Sequence, residues 1–102
     1  MTRYAYRCGA FCIDAIPNQP QVAHCHSFFI HAHMRSQGLA KRLKQNQMQA
    51  LKTQGYNYAT CTTAGDNARQ HKVLENCGWK RLSEFANSLT GGTTVLWGWV
   101  VA

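Results

Sequence analysis

One amphipathic segment with β-forming runs on either side is the feature that most restricts the fold of this chain. Between Leu39 and Gln54 apolar residues recur at helical spacing, while lysine, arginine and glutamine occupy the other side. Gly55 ends this predicted helix. Because a chain of 102 residues can bury one modest core, the helix must cover a sheet built from the flanking runs. We therefore expect one domain that spans residues 1–102.

The other elements are predicted from β-forming composition and from turn residues. The predicted strands are Tyr4–Ile16, bent or bulged at Gly9, Gln21–His33, Tyr56–Thr62, Trp79–Ala86 and Thr93–Val101. A second helix is expected to begin at Asp66 or Asn67 and to end at Cys77. The predicted order is β-β-α-β-α-β-β, which is an α/β (α+β) domain with a mixed, mostly antiparallel sheet.

Composition narrows the classes of function without choosing among them. Eleven Lys and Arg against four Asp and Glu give a net charge of +7, which favours an anionic partner such as a phosphorylated cofactor, nucleic acid or an acidic protein surface. No run approaches the roughly 20 apolar residues that cross a bilayer, and the N-terminus lacks the apolar core of a secretory signal. We therefore expect a cytoplasmic protein without membrane contact. The five cysteines are interpreted as reduced, mostly buried thiols.

The turn Arg35-Ser36-Gln37-Gly38-Leu39-Ala40 joins the second strand to the first helix and contains no acidic residue. A turn of this kind points several backbone N–H groups in one direction at the positive end of the helix dipole, which favours a diphosphate. Gly38 lets a phosphate approach the main chain closely, and Arg35, Lys41 and Arg42 add positive charge. On these residues alone, an ordinary turn glycine is the alternative.

The stretch Ile30 to Ala40 resembles the acyl-CoA signature of the GNAT acetyltransferases, in which an apolar strand end is followed by Arg/Gln-x-x-Gly-x-Gly/Ala. The segment Asn67 to Trp79 is similar to the family's second helix, which an Asn opens and a Gly-aromatic pair closes. The resemblance covers roughly Gly9 to Trp99. It implies an N-acetyltransferase that uses acetyl-CoA as co-substrate and needs no metal.

The resemblance also implies where the cofactor binds. Backbone groups of Phe29 to His31 would pair with the pantetheine arm, the turn would hold the pyrophosphate, and Asn67 would lie beside the pantetheine or the thioester. The implied cofactor-binding residues are Phe29, Ile30, His31, Arg35, Gln37, Gly38, Leu39, Ala40, Lys41 and Asn67. Lys44 and Lys72 are further candidates, for the 3′-phosphate.

His24 and His26 are the predicted catalytic residues. They are two apart on a strand, so they point to one face, and imidazole titrates near neutral pH. Their strand resembles that of the serotonin (arylalkylamine) N-acetyltransferases, in which a His-x-His pair relays the proton of the amine. By that likeness both are proton acceptors; hydrogen-bonded residues on a partly polar sheet face are the alternative. A metal site that adds His31 and His33 is less favoured, because no carboxylate or cysteine stands at a typical ligand spacing.

Leu74 departs from the family pattern at the position of the proton donor. Many GNAT enzymes place a Tyr there to protonate the CoA thiolate, whereas leucine cannot donate a proton and leaves water, His71 or Tyr58 as the donor.

The acceptor is interpreted as a lysine or N-terminus of a protein or as a small amine, and a second copy of the chain is a further candidate partner. Two other functions are a non-catalytic module that binds acyl-CoA or a partner protein and, least favoured, a nucleic-acid-binding domain, for which no recognised signature is present.

Overall fold

The computed structural model describes residues 2–35 and 37–102, in which six strands and two α-helices follow one another along the chain. The strands are β1 (Thr2–Ala5), β2 (Gly9–Ile16), β3 (Gln19–Ile30), β4 (Tyr58–Ala64), β5 (Lys80–Ala86) and β6 (Thr93–Val100). The helices are α1 (Leu39–Thr53) and α2 (Ala68–Asn76), and a 3₁₀ turn over Ala32–Met34 follows β3. Neither α-helix in this part of the chain is long and apolar enough to cross a membrane.

The strands form one sheet in the order β1-β2-β3-β4-β6-β5. β3 and β4 are parallel, as the crossover through α1 requires, and every other neighbouring pair is antiparallel. The α/β class and the mixed, mostly antiparallel sheet are therefore confirmed.

The predicted strand Tyr4–Ile16 is divided into β1 and β2. Reciprocal backbone hydrogen bonds between Tyr6 and Gly9, of 2.8 and 3.3 Å, close a hairpin between them. Gly9 itself faces β3 so closely that a Cβ there would collide with the carbonyl oxygen of Phe29. The bend expected at Gly9 is thus a complete turn, and the order of the chain is β-β-β-α-β-α-β-β.

Both helices cover the same face of the sheet, which we call the helix face. Its buried cluster includes Trp97, Val95, Cys61, Cys25 and Phe11 from the strands. Leu43 and Leu51 of α1 and Leu74 of α2 complete the cluster.

The buried stripe of α1 differs from the predicted one. It includes Lys44, which the sequence pattern assigns to the polar side, and also Gln47.

The opposite face of the sheet, which we call the open face, has no helix over it in the described residues. Successive residues of a strand point to opposite faces, so Gly98 beside Trp97 and His24 beside Cys25 belong to the open face. Across the strands Asp14 pairs with His24, His24 with Thr60, and Thr60 with Gly98. These four residues form one row on the open face.

A β-bulge in β3 changes which side chains face the helices. The register against β2 moves from Cys12↔His26 to Ala10↔Phe29, so β3 has one extra residue there. Ser27 has a φ of 56°, in the left-handed region that a serine seldom adopts. The extra residue shifts the alternation by one position and directs Phe28 to the helix face, where it packs against the core.

Candidate functional site

A cleft of about 750 Å³ opens where β3 and β4 separate. The two strands pair only from Val22 to Cys25 of β3, and beyond that point the N-termini of both helices border the opening. Its walls are Phe28, Phe29, Ile30, Met34, Arg35, Gly38, Leu39, Ala40, Lys41, Asn67, Arg69, Gln70 and Val73. A volume of this size suits a small-molecule ligand or cofactor.

The N-terminus of α1 faces this cleft without a side-chain cap. Gly38 is the N-cap residue, with a φ of 73°, and no acidic residue lies in the first turn. The first N–H groups of a helix lack intrahelical partners and carry partial positive charge. The arrangement therefore provides a site for an anion, and its backbone conformation favours glycine at position 38.

Positive side chains surround the same cleft. Arg35, Lys41 and Arg69 line it, and no acidic residue does so within the described part of the chain. The Nε of Arg35 donates a hydrogen bond of 3.0 Å to the carbonyl of Ile30, which holds the guanidinium against the end of β3. The cleft thus suits a ligand with several negative charges.

Asn67 connects the start of α2 to the cleft. Its side-chain oxygen accepts a hydrogen bond of 3.2 Å from the backbone N–H of Gln70, so the predicted N-cap is confirmed. The same residue lines the cleft.

Most of the predicted cofactor-binding residues meet in this cleft. Those that line it are Phe29, Ile30, Arg35, Gly38, Leu39, Ala40, Lys41 and Asn67. His31 and Gln37 are not part of its wall, and Ser36 of the predicted turn lies outside the described residues. Binding of acetyl-CoA by these residues stays a prediction.

His31 directly follows β3 and is not part of the wall of the cleft. Its backbone N–H donates a hydrogen bond of 2.8 Å to the backbone carbonyl of Cys8, next to β2. Its ring packs edge-on against Phe29, with centroids 5.3 Å apart, and stacks on His33 at 5.9 Å. Gln37 is exposed to solvent.

The cleft also contains residues that the sequence reasoning missed. Arg69, Gln70 and Val73 share one side of α2, at a spacing that could have indicated a common surface. Phe28 was missed because the bulge at Ser27 is not visible in the strand pattern.

On the open face, His24 has the hydrogen bonds of a proton acceptor. Its Nδ1 lies 2.8 Å from the hydroxyl oxygen of Thr60, and that hydroxyl donates to the carbonyl of Ala23 at 3.4 Å. Nδ1–H is therefore the donor to Thr60, and Nε2 keeps its lone pair. Burial lowers the pKa of His24 below its usual 6.5, so the imidazole is neutral at pH 7.

His26 lies on the same face, as predicted, but both of its ring nitrogens are engaged. Nε2 donates to a carboxylate oxygen of Asp14 at 2.6 Å, and Nδ1 accepts from the hydroxyl of Ser27 at 2.9 Å. The hydrogen bond from His26 is the main reason that the pKa of Asp14 lies below its usual 3.8. The rings of His24 and His26 stack at 6.2 Å. The geometry thus favours His24 as the proton acceptor and His26 as a residue that positions Asp14 beside it.

Leu74 and His71, of which only His71 was a candidate proton donor, both have structural roles. Leu74 is fully buried in the core. His71 donates through Nε2 to the carbonyl of Ala64 at 2.9 Å, and its Nδ1 accepts from Arg81 at 3.3 Å. Because both nitrogens of His71 are occupied, it cannot act as the acid in this arrangement. Tyr58, the other candidate, lies on the open face with its hydroxyl over Gly98.

Lys44 is buried below the end of β3, so the prediction that it binds the 3′-phosphate is wrong. Only 1% of its surface is exposed. Its Nζ donates to the side-chain oxygen of Gln47 at 2.6 Å and lies over the rings of Phe28 and Trp79, at 4.5 and 4.9 Å from their centroids. Burial lowers the pKa of Lys44. Within residues 2–35 and 37–102, no group of three or more His, Cys, Asp or Glu is arranged to hold a metal.

Comparison with known proteins identifies a family and a fold. The model of the acetyltransferase (GNAT) family matches residues 7–79, and no curated protein matches the chain. Among solved structures, the chain is similar to the IAA acetyltransferase from Bacillus cereus, at 12% identity and a TM-score of 0.82, covering 91% of this chain and 69% of that one.

Two further solved structures have the same fold. The ribosomal-protein-S18-alanine N-acetyltransferase from Escherichia coli is 11% identical with a TM-score of 0.78, over 93% of this chain and 62% of that one. A Bacillus subtilis acetyltransferase in complex with CoA is 14% identical with a TM-score of 0.79, over 95% and 72%. The chain spans 62–72% of the length of these three structures.

Proposed function

This chain belongs to the GNAT acetyltransferase family, and we propose that it transfers the acetyl group of acetyl-CoA directly to a primary amine. One observation carries the proposal. The cleft with the uncapped N-terminus of α1 and three cations opens at the point where β3 leaves β4, and His24 lies on the same strand, on the open face. A cofactor and an acceptor can therefore meet from opposite sides of the sheet.

Acetyl-CoA fits the chemistry of the cleft. Its pyrophosphate would accept hydrogen bonds from the backbone at Gly38 to Lys41, where the helix dipole and Arg35 favour negative charge. The pantetheine arm would follow the apolar wall of Phe29 and Ile30 toward the gap between the strands. Asn67 borders that path with its side-chain N–H₂ group, since its oxygen already caps α2.

Transfer needs an amine that has lost its proton. In the proposed step, Nε2 of His24 takes a proton from the ammonium group, and the free amine nitrogen then attacks the thioester carbonyl carbon. The C–S bond breaks, the amide forms, and CoA leaves as a thiolate. The second proton, which the nitrogen loses as the amide forms, passes through water to the thiolate. A free thiol has a pKa of about 8.5, so this transfer needs no tyrosine at position 74. No acyl-enzyme is formed.

The pair of Asp14 and His26 supports this role of His24. As His24 becomes positive, the nearby carboxylate of Asp14 stabilises the imidazolium, and Asp14 opposes the effect of burial on the pKa of His24. His26 holds the carboxylate at 2.6 Å.

The test is acetyl-CoA-dependent acetylation of a panel of amines, followed by release of the CoA thiol. We expect His24→Gln to lower kcat by about 10²- to 10⁴-fold with unchanged affinity for acetyl-CoA. His33→Gln is the matched control, because His33 is exposed on the 3₁₀ turn, and it should keep the wild-type rate. A wild-type rate in His24→Gln would remove His24 as the base.

A second candidate function is supported by Leu74. A chain that binds acetyl-CoA with micromolar affinity but releases no CoA thiol with any amine would be a non-catalytic acyl-CoA-binding module.

A further inference from the structure

Four residues with apolar side-chain surface form a patch on the open face that begins two residues from His24. Val22, Tyr58 and Val100 are direct neighbours on β3, β4 and β6, and Leu82 on β5 adjoins them. We call these four residues the apolar patch. Val100 is 66% and Leu82 49% exposed, whereas Val22 and Tyr58 are half-buried.

Gly98 makes the patch continuous. A Cβ at position 98 would collide with the hydroxyl oxygen of Tyr58 and would come within 2.7 Å of Cδ1 of Leu82. The missing side chain lets the Tyr58 side chain extend across β6 until it meets Leu82. Gly98 is buried beneath them.

The patch lies at a fixed position relative to the proposed base. Val22 is two residues from His24 on the same face of β3, and Tyr58 is two residues from Thr60, the partner of His24. With strands about 4.8 Å apart and about 3.3 Å per residue, Tyr58 is roughly 8 Å from His24. An extended amine chain of about six carbon atoms spans roughly that distance, whereas a chain of about four carbon atoms falls short of it.

Charged residues at the two ends of the row on the open face determine the direction in which an amine would bind. Asp14 is the strand neighbour of His24, so it attracts the ammonium form of an approaching amine. Lys80 pairs with Gly98 at the far end of the same row, where it repels a second positive charge.

We infer that the apolar patch binds the carbon skeleton of the acceptor, which is a monoamine carried on an unbranched aliphatic or aromatic group. The amine lies at the ring of His24, which extends toward Thr60, and the skeleton lies on Tyr58 beside Val100. Its far end lies above Gly98, where Cδ1 of Leu82 is found. This inference rests on the proposed function and adds the chemical class of the acceptor to it.

The experiment measures kcat/KM for n-butylamine, n-pentylamine, n-hexylamine and 1,6-diaminohexane with saturating acetyl-CoA. Each methylene that enters the patch should raise kcat/KM about fourfold, and 1,6-diaminohexane should be roughly tenfold poorer than n-hexylamine. Values that do not change along the series, or an equal value for the diamine, would overturn the inference.

Two variants locate the effect. Leu82→Ala and the similarly shaped Val100→Thr should lower kcat/KM for n-hexylamine several-fold and leave n-butylamine nearly unchanged. Phe85→Ala is the control, because Phe85 lies farther along β5 on the same face with the same exposure of 49%. An equal loss for n-butylamine, or an effect of Phe85→Ala, would contradict a specific patch.

The outcomes also separate this inference from the proposed function. Transfer to all the amines at one rate leaves the proposed function intact and overturns the inference alone. Failure to acetylate any amine ends both, and titration with acetyl-CoA then shows whether the cofactor site survives. A dimer that dissociates in Val100→Lys would mean that a second copy covers the patch, and it would likewise overturn the inference.

Discussion

The two faces of the sheet differ in what covers them and in what their residues contribute. The helix face is packed against α1 and α2 around Trp97 and Leu43, both almost fully buried. The open face exposes about half of Leu82 and two thirds of Val100, and its row of Asp14, His24, Thr60 and Gly98 contains three polar residues. The helix face therefore holds the fold together, whereas the exposed side chains of the open face can be replaced at little cost in stability.

The largest expected difference between the faces is in the free energy of unfolding. Trp97→Ala removes a side chain that is 1% exposed and that donates to the Thr63 hydroxyl at 2.9 Å, so we expect a loss of about 3–5 kcal/mol. Phe85→Ala on the open face should change stability by no more than about 0.5 kcal/mol. Urea denaturation followed by circular dichroism measures both. Equal losses would mean that the open face is also part of the core.

Features that depend on a short stretch of sequence could be predicted, whereas contacts between distant strands and helices could not. The α1 bounds, the N-cap at Asn67 and the glycine at the start of α1 follow from local patterns, and they build the cleft. The contact of Asp14 with His26 could not be predicted, because it depends on the register between β2 and β3 and on the bulge at Ser27. The burial of Lys44 was equally hidden, since a lysine in an amphipathic helix ordinarily faces water.

The second prediction concerns Asp14 in the row of residues on the open face. Asp14→Asn removes the carboxylate that accepts from His26 and that stabilises a protonated His24, so we expect a loss of roughly 10- to 100-fold in kcat/KM for the amine. Affinity for acetyl-CoA should not change, because Asp14 is on the open face. Glu75→Gln, an exposed change on α2, is the control for loss of a negative charge. A fall in acetyl-CoA affinity in Asp14→Asn would contradict the separation of the two faces.

The third prediction concerns Lys44, the buried cation on the helix side. Because burial lowers its pKa, the folded state binds this proton less tightly than the unfolded state, and the charge opposes folding at neutral pH. The opposition weakens as pH rises toward the usual pKa of 10.5. We expect Lys44→Met to leave the free energy of unfolding at pH 7 unchanged or to raise it by up to about 2 kcal/mol.

Lys52→Met is the matched control for Lys44→Met. Lys52 is exposed, and its Nζ lies 5.8 Å from the centroid of Trp99. Its replacement should lower stability slightly, by about 0.5 kcal/mol. Thermal unfolding of both variants at pH 7 gives the comparison, and a strong loss in Lys44→Met would show that the buried ammonium stabilises the fold.

The central claim is that the uncapped start of α1 binds the pyrophosphate of acetyl-CoA, and calorimetric titration tests it most directly. Gly38→Asp places a carboxylate at that site, while Gly91→Asp introduces the same change at a glycine of similar φ, 77° against 73°, in the β5–β6 loop. We predict micromolar binding by the wild type and by Gly91→Asp and no detectable binding by Gly38→Asp. Equal affinity in all three proteins would contradict the account.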